Sequence, residues 1–299
     1  MGTGAVWSRA HESLASFLHF VNFVMRNRRA LVGFVITSFF LFMAAIGPLV
    51  VPLDLSSNYS ERFQLPSLKH PLGTDWIGRD ILQQLVHGSR DCIVTALLTG
   101  IFAVGIAVVV GILAGFVGGW VDVVLMRLID VLLTIPQFPI MMVFAAVFRV
   151  KDPISIGAIL AMWMWAGLAR AIRAQILVLR EREFIEAAQV LRLGTWHILF
   201  HELMPNVMSY IVLNFVRIVR GGLTASVGLM FLGLIPYSPT NWGVMLNMAV
   251  FQSGAIYIMP GGLPYLLVPM GAIILFQYGA LCLAYGLEEW FNPRLRAHE

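Results

Sequence analysis

Long apolar runs separated by short polar segments dominate the chain. The uncharged run from 30 to 51 is long enough to cross a bilayer as one helix, which needs about 20 apolar residues. A second uncharged run from 92 to 121 carries Gly111, Gly115 and Gly119 at four-residue spacing. Small residues at this spacing let a neighbouring helix backbone approach closely. These two runs therefore predict two packed transmembrane helices.

Two further apolar segments follow in the middle of the chain. The first runs from about 131 to 148 and contains Pro136 and Pro139, which remove backbone donors and predict a kink near its start. The second runs from about 153 to 176 and ends among several arginines. Both segments have the length of a membrane span.

The stretch from 221 to 287 contains no Asp, Glu, Lys, Arg or His. It is too long for one crossing and is interrupted by Pro, Ser and Asn residues between 235 and 241. We divide it into the end of a fifth span, a polar connection and a sixth span from about 262 to 286. The pattern predicts an all-α, polytopic membrane protein with six transmembrane helices.

Composition agrees with this class. Hydrophobic residues make up 59% of the chain, charged residues 12%, and the mean hydropathy is +0.82, values that exclude a soluble domain of 299 residues. The net charge of +4 is not arranged as a basic stripe with interleaved aromatics, so we expect no nucleic-acid partner. Cys92 and Cys282 both lie in apolar runs and are interpreted as packing residues.

The distribution of Lys and Arg predicts the orientation of the spans. Six spans place both termini on one side; that side holds twelve of the 20 positive residues and the other side six, while Arg217 and Arg220 lie in span five. The positive-inside rule then puts both termini in the cytoplasm of a cell (inner) membrane protein. The predicted organisation is a cytoplasmic tail over 1–29, a transmembrane domain over 30–287 with outer segments 52–88 and 235–261 and a cytoplasmic loop 178–205, and a cytoplasmic tail over 288–299.

The charged stretch from 183 to 206, EFIEAAQVLRLGTWHILFHELMPN, lies between membrane-length segments and must lie in water beside the bilayer. It resembles the coupling loop by which permeases of ABC importers dock onto a separate ATPase subunit. In that family the loop opens with Glu-Ala-Ala, here Glu186, Ala187 and Ala188, and closes with Ile/Leu-Leu-Pro, matched here by the run 203–206, LMPN, which contains Pro205.

One position of the loop departs from the family pattern. Where the peptide-importer form of the motif has a glycine, this chain has Arg192, with Gly194 two residues later. We therefore expect the turn inside the loop to be built differently.

A second resemblance lies in the first outer segment, in HPLGTDWIGRDILQQLVHGSR at 70–90. It is similar to a signature of the peptide/nickel-type ABC permeases, in the C-type subunit that pairs with a B-type partner. The runs 23–52 and 231–246 also resemble that subunit, although Ile235 replaces a usual glycine. The signature residues are His70, Pro71, Gly73, Thr74, Asp75, Gly78, Arg79 and Asp80.

The resemblance implies the type I ABC importer permease fold and a transport function. It implies that this chain forms half of a pore with a B-type permease, that two ABC ATPase subunits bind ATP and magnesium, and that an extracytoplasmic solute-binding protein delivers the cargo. The chain itself is expected to bind no cofactor or metal and to have no catalytic residues. Peptides are the expected cargo; oligosaccharides and nickel complexes are alternatives. An ATP-independent channel or a membrane enzyme is the alternative from another class.

Arg217 and Arg220 stand three residues apart in span five, on one helical face near mid-bilayer. A lipid-facing Arg there is costly, so both should face the translocation path or an acid of the partner subunit. Ser226 is the third candidate path residue, because many peptide permeases carry Glu there.

Other polar residues can be interpreted as structural or solvated rather than functional. His197 and His201 have metal-ligand spacing but no third ligand beyond Glu202, so we expect a solvated surface. Asp130 is expected to pair with Arg127 or to take part in function.

The His70–Asp80 signature is interpreted as a turn. Thr74 or Asp75 could cap the helix that follows it, and an acid–base pair of His70 with Asp75 is not expected.

Overall fold

The structure is a computed structural model that describes residues 22–148, 150, 152–235, 238–255 and 260–292. Most of both predicted tails lies outside these residues. Helices account for nearly all regular structure, and the described residues contain no β-strand. The α-helices are α1 (Arg28–Val50), α2 (Ile81–Val117), α3 (Gly119–Thr134), α4 (Gln137–Phe148), α5 (Pro153–Met164), α6 (Ala166–Arg180), α7 (Glu183–Val190), α8 (Met204–Phe231), α9 (Trp242–Asn247) and α10 (Leu263–Phe291).

Four helices are long and apolar enough to cross a membrane. They are α1, α2, α10 and the continuous helical stretch Thr195–Phe231, which ends in α8. The pairs α3–α4 and α5–α6 pass the same test together but are bent by 87° and 52°. If each bent pair crosses once, the number of spans is six. The predicted all-α membrane class is therefore confirmed.

Proline chemistry explains the sharper bend. Pro136 follows Ile135, which ends α3 in an extended conformation, as expected for a residue before proline. Pro139 lies in the first turn of α4, where its missing N–H breaks no intrahelical bond. Only Pro136 marks the break, and the helix before it starts at Gly119, about three turns earlier than the sequence predicted.

The glycine ladder of α2 brings this helix against α6. A Cβ atom built on Gly111 would lie 2.8 Å from the Ala169 carbonyl oxygen, and one on Gly115 would lie 2.8 Å from Ile176 Cβ. The third glycine behaves differently: Gly119 begins α3 at φ +58° and has nothing near its missing side chain. The predicted close approach is correct for two of the three positions.

The two polar connections form one unit, here called the cap (residues 51–80, 238–255 and 260–262), at one end of the helices. Gly78 adopts φ +83°, and a Cβ there would lie 1.9 Å from the Asn58 carbonyl oxygen. The buried Trp242 donates from Nε1 to the Leu85 carbonyl at 3.0 Å, and a Cβ on Gly88 would lie 2.0 Å from the Thr240 carbonyl oxygen. The first turns of α2 are thus packed into the cap.

The opposite end of the helices, here called the loop end, carries α7. Helix α2 begins at the cap and ends at the loop end, whereas α8 begins at the loop end and ends at the cap. Asn27 donates to the Glu289 carboxylate, which aligns the start of α1 with the last turns of α10 at the loop end.

We expect Gly111→Ala and Gly115→Ala to destabilise the protein by about 1–3 kcal/mol, because the added methyl overpacks the contact with α6. Gly105 supplies a matched control in the same helix, since among the described residues no atom outside its own helical turns lies within 4 Å of its missing Cβ. Gly105→Ala should be neutral or stabilising by about 0.5–1 kcal/mol. Thermal unfolding of the detergent-purified variants measures the difference; equal stability at positions 105 and 115 would contradict the close contact.

Candidate functional site

Asp75 organises the signature turn of the cap. Its Oδ1 accepts hydrogen bonds from the backbone N–H groups of Ile77 (2.9 Å) and Arg79 (2.8 Å), and its Oδ2 accepts from Gln84 Nε2 (3.0 Å). Burial of this carboxyl raises the pKa of Asp75 above its usual value, and the three hydrogen bonds oppose that rise. Every acceptor bond goes to the chain itself, so Asp75 has a structural role.

Asp80, rather than Thr74 or Asp75, caps the helix that follows. Its Oδ1 accepts from the N–H groups of Leu82 (2.7 Å) and Gln83 (3.2 Å), which satisfies two free donors at the start of α2. The predicted caps were therefore wrong. Since α2 begins at Ile81, residues 81–88 of the predicted outer segment belong to a helix.

His70 lies between two carboxylates, neither of which is Asp75. Its Nδ1 is 2.8 Å from Asp80 Oδ2, and its Nε2 is 3.5 Å from Glu61 Oε2. A hydrogen bond from Lys69 lowers the pKa of Glu61. The Thr74 hydroxyl accepts from Gln64 N–H at 2.8 Å and donates to the Glu61 carbonyl. The signature therefore joins the segments 61–64 and 70–80 of the cap, as expected for a turn.

Helix α7 carries the Glu-Ala-Ala motif at the loop end and divides it between two faces. Ile185 is fully buried and Ala188 is only 4% exposed; both pack against Ile198 and Leu203 in one core cluster. Glu186 and Ala187 are exposed. The third motif residue, Ala188, therefore faces the chain's own core and only the first two face outward.

Arg192 keeps a glycine-like backbone at the position where the family has glycine. Its φ is +54°, in the left-handed region, and Leu193 N–H donates to the Ala188 carbonyl at 3.0 Å. This is the 6→1 bond of a Schellman motif, which ends a helix and usually has glycine at the left-handed position. Gly194, at φ −61°, needs no such freedom. Arg192, rather than Gly194, therefore occupies the left-handed position of this turn and bears its strain.

An apolar surface covers the outer side of the loop. Val190 is 82% exposed and Leu191 71% exposed, and the rings of Trp196 and Phe200 stack with centroids 5.7 Å apart. An exposed apolar patch of this kind marks an interaction site. We call this surface the loop face; it consists of Phe184, Val190, Leu191, Leu193, Trp196 and Phe200.

The chain returns to helix before Pro205. Helical turns begin at Thr195, and a π-helical segment, Ile198–Leu203, leads into α8. Pro205 lies in the first turn of α8, where the wider π turns before it accommodate a residue without an N–H. Pro205 is therefore inside a continuous helix rather than the point at which the helix starts.

His197 and His201 stack on each other in these turns, with ring centroids 4.6 Å apart. Glu202 Oε1 lies 4.0 Å from His197 Nε2. Among the described residues no three His, Cys, Asp or Glu side chains are placed to hold a metal ion.

Ion pairs join α6 to the helices beside it at the loop end. Asp130 pairs with Arg170 rather than with Arg127, so the expected partner was wrong. Arg173 donates to both oxygens of Asp122, at 2.9 and 2.5 Å. Arg170 and Arg173 lie about one turn apart on α6, so both face the neighbouring helix α3.

Helix α8 carries a row of polar residues on one face, here called the polar stripe: Asn206, Tyr210, Asn214, Arg217, Arg220 and Thr224. All are exposed or half-buried. Their spacing of three or four residues keeps them on one side of the helix. Asn214 and Thr224 donate to the carbonyl four residues back, at 2.9 and 3.1 Å.

The two arginines of the polar stripe contact α10 of the same chain. Arg217, whose side chain is 50% exposed, lies 3.6 Å from the Glu288 carboxylate in the last turn of α10. Arg220 Nε donates to Gln277 Oε1 at 3.1 Å. The Arg217 guanidinium therefore points toward the loop end instead of mid-bilayer, and Arg220 takes the deeper position.

Ser226 does not belong to this surface. Its side chain is buried and donates to the Leu223 carbonyl at 2.9 Å, on the opposite side of α8 from Arg217. Nine residues correspond to about two and a half helical turns, which places the two side chains on opposite faces. The structure therefore separates Ser226 from the two arginines, and its place in the translocation path stays a prediction.

Sequence reasoning missed Glu288 and Gln277, the α10 partners of the two arginines. Each is far from its arginine in the chain, and no local spacing connects them. The polar stripe itself was detectable, because its three- to four-residue period is visible in the sequence.

Comparison with known proteins agrees with this geometry. The family described as the binding-protein-dependent transport system inner membrane component matches residues 107–297. The chain belongs to this family. The N-terminal transmembrane domain of oligopeptide transport permease C matches residues 23–70, so this is a permease with the type I fold.

Individual relatives align with this chain over most of their length and are named as peptide permeases. A putative peptide permease protein of Brucella suis biovar 1 is 32% identical over 280 residues, which cover 91% of this chain and 89% of the relative. The dipeptide transport system permease protein DppC of Bacillus subtilis is 30% identical over 91% of this chain and 83% of its own length. The oligopeptide permease OppC of the same organism is 29% identical, with coverage of 90% and 87%. The permease is a multi-pass membrane protein of the peptide-transport type.

The strained turn of the permease predicts that Arg192→Gly stabilises the end of α7 by about 1 kcal/mol, since a left-handed conformation costs a non-glycine residue about that much. Hydrogen exchange at the Leu193 amide should slow by about fivefold. Gly194→Ala is the matched control and should leave this exchange unchanged. Slower exchange in neither variant, or in both, would contradict the assignment of the strain to residue 192.

Proposed function

We propose that this permease forms half of the translocation pore of an ATP-driven ABC importer, with a B-type permease as the other half. Its loop face docks onto one of two cytoplasmic ABC ATPase subunits, which bind ATP and magnesium. The observation that carries this proposal is the loop face: Val190 and Leu191 are largely exposed, while the other side of α7 is packed into the chain's own core. Such a patch needs a partner in water.

The two faces of α7 explain how a motor would act on the membrane helices. Ile185 and Ala188 pack against Ile198 and Leu203, in the turns that lead into α8. Ile172 and Ile176 of α6 belong to the same cluster. Close-packed side chains transmit displacement. Movement of an attached ATPase would therefore shift α6 and α8 together and switch the side to which the cavity opens.

The proposed orientation places the loop end and both termini in the cytoplasm of the cell (inner) membrane. The excess of Lys and Arg at this end supports that orientation. It also puts the loop face in the compartment that holds ATP.

The cap would then face the solute-binding protein on the outer side. The cap is held by buried contacts, and Tyr59 and Leu68 remain highly exposed on its surface. A rigid surface with exposed apolar side chains suits a transient partner.

Peptides are the proposed cargo, and the names of the relatives support this choice. The oligosaccharide alternative rested on three departures from the family pattern: the sequence of 236–243, Ile235, and Ser226, which replaces a usual glutamate. Because its side chain is buried away from the polar stripe, that replacement no longer argues against peptides.

The docking proposal predicts that Leu191→Glu lowers co-purification of the ATPase subunits by about tenfold, since a buried unpaired carboxylate in the interface costs more than 1.4 kcal/mol. Folding should be preserved because Leu191 is exposed. Ala188→Glu is the matched contrast: it buries the charge inside the permease and should reduce the folded yield itself. Unchanged ATPase binding and uptake with Leu191→Glu would place the docking surface elsewhere.

We also expect this chain to be inactive by itself. One loop face engages one motor, whereas ABC transport requires two, so uptake into proteoliposomes should need the B-type permease and both ATPases. ATP-independent flux through this chain alone would indicate a channel, and ATP-driven uptake by its homodimer would contradict the heterodimer.

A further inference from the structure

Arg220 lies deep in the membrane domain and its charge has no counter-ion in the described residues. Its Nε donates to Gln277, in the middle of α10, which is uncharged. By contrast, Arg217 is balanced by Glu288 at 3.6 Å. Among the described residues the polar stripe and its α10 partners therefore carry one net positive charge, and it resides on Arg220.

Gln277 fixes the orientation of this guanidinium. Its Oε1 accepts from Arg220 Nε, while its Nε2 donates to the Arg220 carbonyl (3.0 Å) and to Thr224 Oγ1 (2.8 Å). The amide thus uses its donor and acceptor groups on one turn of α8. Within the described chain the two terminal nitrogens of Arg220 make no hydrogen bond, so their N–H groups remain for a ligand.

The surroundings of Arg220 favour water over lipid. A cation that faced hydrocarbon at this depth would cost several kcal/mol. The rest of the polar stripe is exposed or half-buried along the whole of α8, and its Asn and Thr donors are satisfied by the helix backbone. A continuous polar row that contains a cation without a counter-ion is suited to a water-filled cavity.

We propose that Arg220 binds the carboxylate of the cargo in the translocation path and that Gln277 is its positioning residue. The inference rests on the proposed function and narrows its cargo to molecules with a carboxylate, such as peptides with a free C terminus. The planar fork of a guanidinium matches the two oxygens of a carboxylate. A neutral oligosaccharide would leave the charge uncompensated.

The test compares tri-alanine with tri-alanine amide, which lacks the C-terminal charge, in the complete importer reconstituted with its partner subunits and binding protein. A neutral trisaccharide, maltotriose, is the third cargo. Each uptake rate is divided by that of the unaltered complex, so selection by the binding protein cancels. The variants are Arg220→Gln, which removes the cation, and Gln277→Glu, which supplies an internal counter-ion of nearly the same shape.

Both variants should lower tri-alanine uptake by about tenfold, the effect of losing one charge-assisted interaction, and leave uptake of the amide unchanged. Gln277→Leu should lower tri-alanine uptake, relative to the unaltered complex, by less than tenfold, because the cation remains but loses its orientation. The amount of assembled complex should stay constant in all three. A merely structural role of Gln277 would reduce both peptides equally and would overturn its assignment.

Loss of the assembled complex with Arg220→Gln would indicate that Arg220 pairs with an acid of the partner permease, which would overturn the carboxylate site. In that case Gln277→Glu should change the uptake of both peptides equally. ATP-driven uptake of maltotriose but of neither peptide would overturn the carboxylate site and leave the importer function standing. No ATP-dependent uptake of any of the three cargoes would refute the proposed function itself, and the carboxylate site with it.

Discussion

Hydrocarbon offers no hydrogen-bond partner to a polar group, and this constraint governs every element of the permease. Backbone groups are satisfied inside helices, and the exceptions lie where the chain covers them: Asp80 caps the start of α2 inside the cap, and the break at Pro136 joins two helices whose ends pack on neighbours. Polar side chains follow the same rule. Thr99 and Ser226 donate to carbonyls of their own helices and are buried without cost to the surrounding apolar core.

The same constraint makes the polar stripe of α8 exceptional. Its residues are satisfied only in part by the helix, and Arg220 keeps free donors where the described chain offers no acid. A membrane protein tolerates such a group where water, a ligand or another subunit reaches it. The loop face shows the complementary situation, because apolar side chains there meet water instead of lipid. Both surfaces therefore call for something from outside the described chain: the polar stripe for water or an anion, and the loop face for an apolar partner surface.

The apolar runs predicted the all-α membrane class because burial in a membrane needs only length and hydropathy, and the predicted number of six spans holds if each bent helix pair crosses once. The apolar pattern failed at the start of α2, where Gln84, His87 and Ser89 predicted a polar loop instead of a helix. Gln84 and Ser89 are in fact buried, because Gln84 donates to Asp75 in the cap and Ser89 donates to the Val86 carbonyl of its own helix. The coupling motif was found from its residues, but its division into buried Ala188 and exposed Ala187 depends on the phase of α7 against α8. The Arg217–Glu288 pair joins residues from two different spans and requires the tertiary fold.

Helix α2 is uninterrupted over 37 residues, without proline, and so measures about 55 Å from end to end. Its first turns are fixed in the cap through Leu85 and Trp242, and its last turns are fixed to α6 through Gly115 and Arg180. A rod of this length exceeds the thickness of the hydrocarbon layer, about 30 Å, so it must tilt or project beyond it. A change in tilt of about 10° would displace its far end by about 10 Å, by the geometry of a straight helix. A movement at one side of the membrane can thus be transmitted to the other as a change in the tilt of a single helix, without a series of side-chain rearrangements in between.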